Sequence, residues 1–226
     1  MKQILLLLFF LIGSLSLPNP NKVVEQLNQV RTDPISYVTV IKTKYSHYPG
    51  ADEAIEFLTN TPKARALIDT QALQASAQLH ANYLKGQSVI VNPHEGCNSN
   101  HIHDRITQVG SWSQVAESIT YKAGSEEEIV AKLIIDSDSS NKINRRNVMS
   151  NSFTHVGVGV SNSGRYKNIT VIHFAGEFSC SPCPLVPSEN VEYHCTSPAY
   201  LYSAAVNIST NLLMIIIVLV GILYMF

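Results

Sequence analysis

VAESITYK (115–122), EEEIVAKLIIDSDSSNKINRRNVMSNSFTHVGVGV (126–160) and NITVIHFAGEF (168–178) decide the fold. The first segment predicts a strand that carries one acid, Glu117. The second follows Ser125 with three glutamates. An N-cap residue and acids in the first turn suit the positive end of a helix dipole, so a helix is predicted to about Ile135. The polar run 136–151 reads as a loop. Residues 153–160 alternate as a strand does, Asn162-Ser163-Gly164 makes a turn, and 167–177 returns as the hairpin partner. Just upstream, 93–103 is a His-rich loop. A site is expected where that loop, Glu117 and the Asn/Arg-rich run meet.

Toward the N-terminus the periodicity changes. Val23, Val24, Leu27, Val30 and Arg31 follow helical spacing after a Pro/Asn start. Pro34 interrupts, and Ile35, Val38, Val40 and Ile41 carry a second helical segment. Residues 51–59 predict a short helix, 63–68 another helical turn, and 70–84 the strongest helix of the chain. Leu73, Ala77, His80, Ala81 and Leu84 share one face of that helix, and Gly86 stops it. A further short helix is predicted over 104–109. Helices come first and strands late, which predicts an α+β domain with helices flanking a small antiparallel sheet.

The two ends have a different character. Met1-Lys2, the apolar run ILLLLFFLIG and Ser14-Leu15-Ser16 read as a signal peptide over 1–16. The fold is expected within 19–178, followed by a Cys/Pro-rich tail at 179–200 and a hydrophobic segment at 201–226. That segment ends in LLMIIIVLVGILYMF and reads either as a glycolipid-anchor signal or as a transmembrane helix. The chain of 226 residues has a formal net charge of −1, without the basic excess that nucleic acid requires. The four cysteines, Cys97, Cys180, Cys183 and Cys195, follow a secretion signal and predict disulfides, with three connectivities open. Cys180-x-x-Cys183 also allows a redox or zinc motif, which its position past the last strand disfavours. Asn168-Ile-Thr170 and Asn207-Ile-Ser209 are glycosylation sequons.

Taken in order, several of these segments resemble the CAP/SCP superfamily of cysteine-rich secretory proteins, antigen 5 and plant pathogenesis-related proteins, in its compact bacterial and protist branch. They are Leu27-Asn28-Gln29-Val30-Arg31-Thr32-Asp33-Pro34, the helix 73–81, Pro93-His94-Glu95 with His103-Asp104-Arg105-Ile106, Ala116-Glu117-Ser118-Ile119, the block 133–149 and 153–159. The resemblance implies an α-β-α sandwich with a shallow cleft, where two His and two acids can hold a divalent metal. By position these are His94, Glu117 and Asp136, with Asn144 standing where the family has its second His. Ser118 replaces the asparagine that follows the strand glutamate.

The chemistry of that set is weak. An amide oxygen at Asn144 is a poor zinc ligand, though acceptable to calcium, so no metal is expected to be required and any zinc or calcium would bind weakly. A hydrogen bond between His94 and Glu117 is the favoured role for both. His80, His155 and His173 read as structural, and His101-x-His103 as the start of a helix beside Asp104-Arg105. Arg145-Arg146 reads as pairing with Asp136, Asp138 or a helix C-terminus. The glutamates at 126–128 read as a solvated helix start. There is no nucleophile elbow and no H-E-x-x-H. The expected function is an extracellular, membrane-tethered, non-enzymatic module that binds a lipid or sterol, or a surface protein, with a degenerate His/Glu cleft. The alternative is a secreted hydrolase or metal-dependent enzyme at His94 and Glu117, with Ser118 or Ser139 as conceivable nucleophiles.

Overall fold

The chain enters its first helix at Asn19, whose side-chain oxygen accepts from the backbone N–H groups of Asn21 and Lys22, while Pro20 takes a first-turn position that needs no N–H. In the computed structural model, which describes residues 17–180, 183 and 186, this helix, α1, spans Pro20–Thr32. Pro34 opens α2 (Pro34–Val40), which runs on through a π turn at Ile41–Tyr45. Then come α3 (Ala51–Asn60), β1 (Ile68–Asp69), α4 (Gln71–Gly86), α5 (Ile102–Thr107) and β2 (Gln114–Tyr121). The chain continues through α6 (Glu126–Ile135), α7 (Ile143–Met149), β3 (His155–Ser163) and β4 (Lys167–Gly176). The signal peptide, most of the tail, the C-terminal hydrophobic segment, Cys195 and Asn207 lie outside the described residues. Among the described residues, no helix is long and apolar enough to cross a membrane.

The sheet has the order β1-β3-β4-β2. β4 pairs antiparallel with both β3 and β2, but β1 runs parallel to β3, so the sheet is mixed rather than wholly antiparallel. β1 takes the last residue of the stretch 63–68, where a helical turn was expected. The reason lies in α1. The Asn28 side-chain amide accepts from Leu67 N–H at 2.7 Å and donates to Leu67 C=O at 3.0 Å, as a neighbouring strand would. Backbone groups held in this way are not available for a helical turn.

The polar run 136–151 is likewise not all loop, because it contains α7. Asp136 ends α6 in a left-handed conformation and turns its carboxylate onto the start of α7. It accepts from the backbone N–H groups of Asn144 at 2.9 Å and Arg145 at 3.4 Å. A carboxylate there satisfies orphan donors and suits the helix dipole. The glutamates of α6 are not simply solvated either. Glu126 accepts from Asn19 N–H, Glu127 from Lys44 and Tyr45, and Glu128 from Tyr48 and Gly124 N–H.

Helices cover both faces of the sheet. On one face, Val156, Val158, Val160, Ile172 and Phe174 join the main core with Leu27, Tyr37, Ile41, Ile134 and Val148. On the other, Ile169, Val171 and Ala175 pack in two smaller clusters with Leu73, Ala77 and Ala81 of α4. β3 presents glycines to that second face. A Cβ at Gly157 would lie 2.1 Å from Gln74 N, and one at Gly159 would lie 2.3 Å from Gln78 N. Only glycine lets α4 lie directly on the strand. The Gln78 amide completes the contact by accepting from Val160 N–H at 3.0 Å and donating to Val160 C=O at 2.8 Å.

Candidate functional site: the Glu117 cluster

Sheet register sets the site. Gly157, His173 and Glu117 lie in one row across β3, β4 and β2. Alternation along a strand turns Glu117 and His173 toward α4. The glycine in that row brings α4 close, and α4 carries His80.

The Glu117 side chain is 2% exposed, and both of its oxygens are engaged. Oε1 accepts from His94 Nδ1–H at 2.8 Å. Oε2 accepts from Arg105 Nη2–H at 2.7 Å and from His173 Nε2–H at 2.8 Å. His80 Nε2 comes within 3.7 Å of Oε2 but donates to Pro93 C=O at 2.8 Å. Burial pushes the Glu117 carboxyl pKa up. The hydrogen bonds from His173 and His94 outweigh burial and hold it well below the ordinary value. Burial pushes His80 down to about 3 and also lowers His173. Both rings are therefore neutral, and each keeps a buried Nδ1 without a hydrogen-bond partner.

Arg105 also closes the loop over this cluster. Its Nη1 donates to Asn100 C=O at 2.6 Å and its Nη2 to His94 C=O at 3.3 Å. His94 is the member that faces outward, with its side chain 53% exposed. With Nδ1 committed to Glu117, Nε2 is the ring nitrogen left for other partners. His101 and His103 stay apart from the cluster. His101 donates its backbone N–H to Asp104 at the start of α5, and the His103 ring packs 5.6 Å from that of Trp112. His155 Nδ1 lies 2.8 Å from Thr154 Oγ1.

The four expected cleft residues do not form one group. His94 joins Glu117, while Asp136 joins Asn144, whose Nδ2 donates to Asp136 Oδ1 at 2.8 Å. Among the described residues, no hydrogen bond or ion pair links the second couple to the first. Strand alternation gives the reason. Ser118, next to Glu117, faces away from α4, and its Oγ accepts from Asn147 Nδ2 of α7 at 3.3 Å. That same amide donates to Glu117 C=O at 3.3 Å. α7 thus reaches the β2 backbone through Asn147, and the Asp136 carboxylate is spent on the helix start. Arg145 donates to Ile135 C=O at 3.0 Å, at the C-terminus of α6, and pairs with Glu53.

These residues do not fit a divalent ion. The carboxylate already meets a guanidinium, and Asn144 and Asp136 are committed to each other. Among the described residues, no three His, Cys, Asp or Glu side chains are placed to share a metal. Sequence reasoning treated His80, His173 and Arg105 as structural and missed that they converge on Glu117. Only the pairing register between β2 and β4 brings His173 there, and no local pattern encodes that register.

Two hollows adjoin the cluster. A narrow one of about 20 Å³ is bordered by Ser76, His80, Tyr83, Gly96 and Arg105. An open one of about 250 Å³ is bordered by Tyr83, Leu84, Val89, Ile90, Val91 and Gly96. Val89 and Val91 are 60% and 91% exposed. Cys180 and Cys183 form a disulfide with each other, and Cys97 is also disulfide-bonded. The Asn168 sequon is closed in the fold. Its Nδ2, where a glycan would attach, is buried in β4 and donates to Ala123 C=O.

No curated protein matches the chain. Among solved structures, an extracellular SCP-domain protein from Bacillus anthracis matches with 17% identity and a TM-score of 0.45, over 70% of this chain and 41% of that one. This chain therefore spans less than half of that protein. An outer surface protein from Borrelia burgdorferi matches with 11% identity and a TM-score of 0.47, over 71% and 97%. The venom allergen-like protein 4 of Schistosoma mansoni matches with 14% identity and a TM-score of 0.43, over 80% and 96%. The family model described as the cysteine-rich secretory protein family, CAP, matches residues 26–176. That span runs from α1 to the last residue of β4, and the chain belongs to this family.

Proposed function

We propose that the protein is an extracellular, membrane-tethered binding module without catalytic activity, and that it takes a lipid or sterol. The observation that carries this reading is the open hollow of about 250 Å³ beside the 93–100 loop, where Leu84, Ile90 and the exposed Val89 and Val91 meet the polar Gln87, Asn92 and Glu95. Concave apolar sites with a few polar groups are the usual form of small-molecule sites. The Glu117 cluster lies behind this hollow rather than in its lining: Arg105 holds the 93–100 loop through the Asn100 and His94 carbonyls, and Glu95 and Gly96 of that loop border the hollow. The N-terminal signal, the disulfides and the C-terminal hydrophobic segment support secretion and tethering. The test is equilibrium binding of a radiolabelled sterol and of a fatty acid to the full-length protein. Saturable binding that persists in Glu117→Gln is expected. Absence of binding to either probe overturns the reading.

One observation favours a second reading. His94 is exposed, and its Nδ1–H is held by a buried carboxylate, the arrangement that orients a general base. Under that reading the protein is a hydrolase. Turnover of a peptide mixture that disappears in both His94→Gln and Glu117→Gln would establish it in place of the first.

A further inference from the structure

Ser76 and His80 lie four residues apart on α4, so their side chains share a face, and Arg105 reaches the same place from α5. All three border the narrow hollow of about 20 Å³. They are 3%, 2% and 9% exposed. Each carries a buried polar atom that has no hydrogen-bond partner among the described residues: Ser76 Oγ, His80 Nδ1 and Arg105 Nε. Buried polar groups are rarely left unbonded, because the loss of hydration is not made good. Three of them around one hollow point to a ligand shared by all.

The other atoms of these side chains fix what each group offers. His80 Nε2 carries the ring proton, because it donates to Pro93 C=O at 2.8 Å. A ring buried this deeply is neutral, so its Nδ1 is a lone pair that only accepts. Arg105 Nη1 donates to Asn100 C=O, and Nη2 donates to His94 C=O and Glu117. The Nε–H that remains only donates, while Ser76 Oγ does either. Gly96, also on the border, stands against two of the three residues. A Cβ there would lie 3.2 Å from Arg105 Nη1 and 3.5 Å from His80 Nδ1. A cation in the hollow would face the guanidinium, and an anion would face the imidazole lone pair. One neutral oxygen that both donates and accepts suits every group. A water needs roughly 10–15 Å³ of such space, so the hollow seats a single molecule.

We propose that the narrow hollow binds one water molecule, which donates to His80 Nδ1, accepts from Arg105 Nε–H and bonds Ser76 Oγ. The water fastens α4 to Arg105, the residue that also holds the loop carrying His94. This goes beyond the proposed function and does not depend on it, since a hollow of this size excludes a lipid or a sterol.

The test is nuclear magnetic resonance of the full-length protein labelled with nitrogen-15 and carbon-13 at histidine, at neutral pH. His80 Nδ1 is expected upfield of a bare imidazole lone pair, as an accepted hydrogen bond shifts it. The ring proton on the carbon next to Nδ1 is expected to show a cross-relaxation peak to a long-lived water. Gly96 has φ −101° and ψ −161°, an extended conformation open to alanine. Gly96→Ala sets a methyl group against Arg105 and His80, and should abolish the water peak and move Nδ1 to the bare position. Nε2 should stay where it is, because its bond to Pro93 stands. A bare Nδ1 in the unsubstituted protein, a proton on Nδ1, or a hydrogen-bonded Nδ1 without a water peak each overturns the proposal. Those three readings hold whether or not the variant folds. A water peak that survives in folded Gly96→Ala places the water elsewhere and overturns it too.

Discussion

At the scale of a residue, Glu117 is a buried charge held by three hydrogen bonds, and its ionisation is tied to stability. Its folded pKa is depressed below the ordinary 4.5, so its contribution is complete above that value and is lost as pH falls below it. His80 adds to the same trend at higher pH. With 6.5 in the unfolded chain and about 3 in the folded one, only the unfolded chain takes up the proton between those values. Stability therefore drops as pH falls through 6.5 and drops further below 4.5. Urea midpoints measured across this range should decline in that order, and a flat profile between pH 6.5 and 4.5 would show that His80 is not buried as described. Glu117→Gln should shrink the lower step, to which Glu53, Glu126 and Glu128, also held below their ordinary value by their partners, contribute the rest. At neutral pH it leaves Arg105 buried without its counter-charge, a loss on the order of 3–5 kcal/mol. Adding Arg105→Leu should recover part of that loss, and a melting temperature for the double variant below that of Glu117→Gln would contradict the pairing. The sequence made half of this legible. His94 and Glu117 stood out because of their motif context, whereas Arg105 and His173 looked like a helix-start residue and a strand histidine. Their convergence depends on strand register and on how α5 lies against β2, which are tertiary facts.

At the scale of elements, the contact between α4 and β3 decides how the site is built. The two glycines of GVGV were visible in the sequence as part of a strand, but their purpose was not. They admit the helix backbone, and the helix brings His80 to the Glu117 row. Gly159→Ala would place a methyl group 2.3 Å from Gln78 N, against backbone that cannot rotate away. Overpacking of this kind costs about 1–3 kcal/mol and occasionally more. The expected result is a melting point lowered by several degrees with loss of the Gln78 to Val160 pairing. Unchanged stability would mean that α4 does not lie on β3. Asp136 makes a second case. It was expected at the cleft, and its position at the end of α6 puts it on the α7 start instead. Asp136→Ala should cost about 0.5–2 kcal/mol, the usual worth of a capping carboxylate, and should not change any ligand binding at Glu117. α7 itself was hidden because seven residues, INRRNVM, are too few to show a helical period and are polar enough to read as loop. β1 was hidden because two residues carry no alternation at all.

At the scale of the molecule, folding and secretion meet at Asn168. The sequence offers two sequons, and sequon patterns alone treat them equally. The fold separates them. Asn168 lies at the start of β4, 8% exposed, with its amide inside and donating to Ala123 C=O, while Thr170 of the same sequon is fully buried. A glycan on Nδ2 needs that nitrogen at the surface. To carry one, the domain would have to give up this hydrogen bond and pull the start of β4 away from the turn that follows β2. Chains modified there before folding should be retained rather than secreted. The secreted protein is thus expected to be bare at Asn168. Intact mass before and after glycosidase treatment checks this. In Asn207→Gln the treatment should produce no shift, and Asn168→Gln should leave the glycan mass of the wild type unchanged. A residual shift in Asn207→Gln would show that the β4 entrance opens in the mature protein.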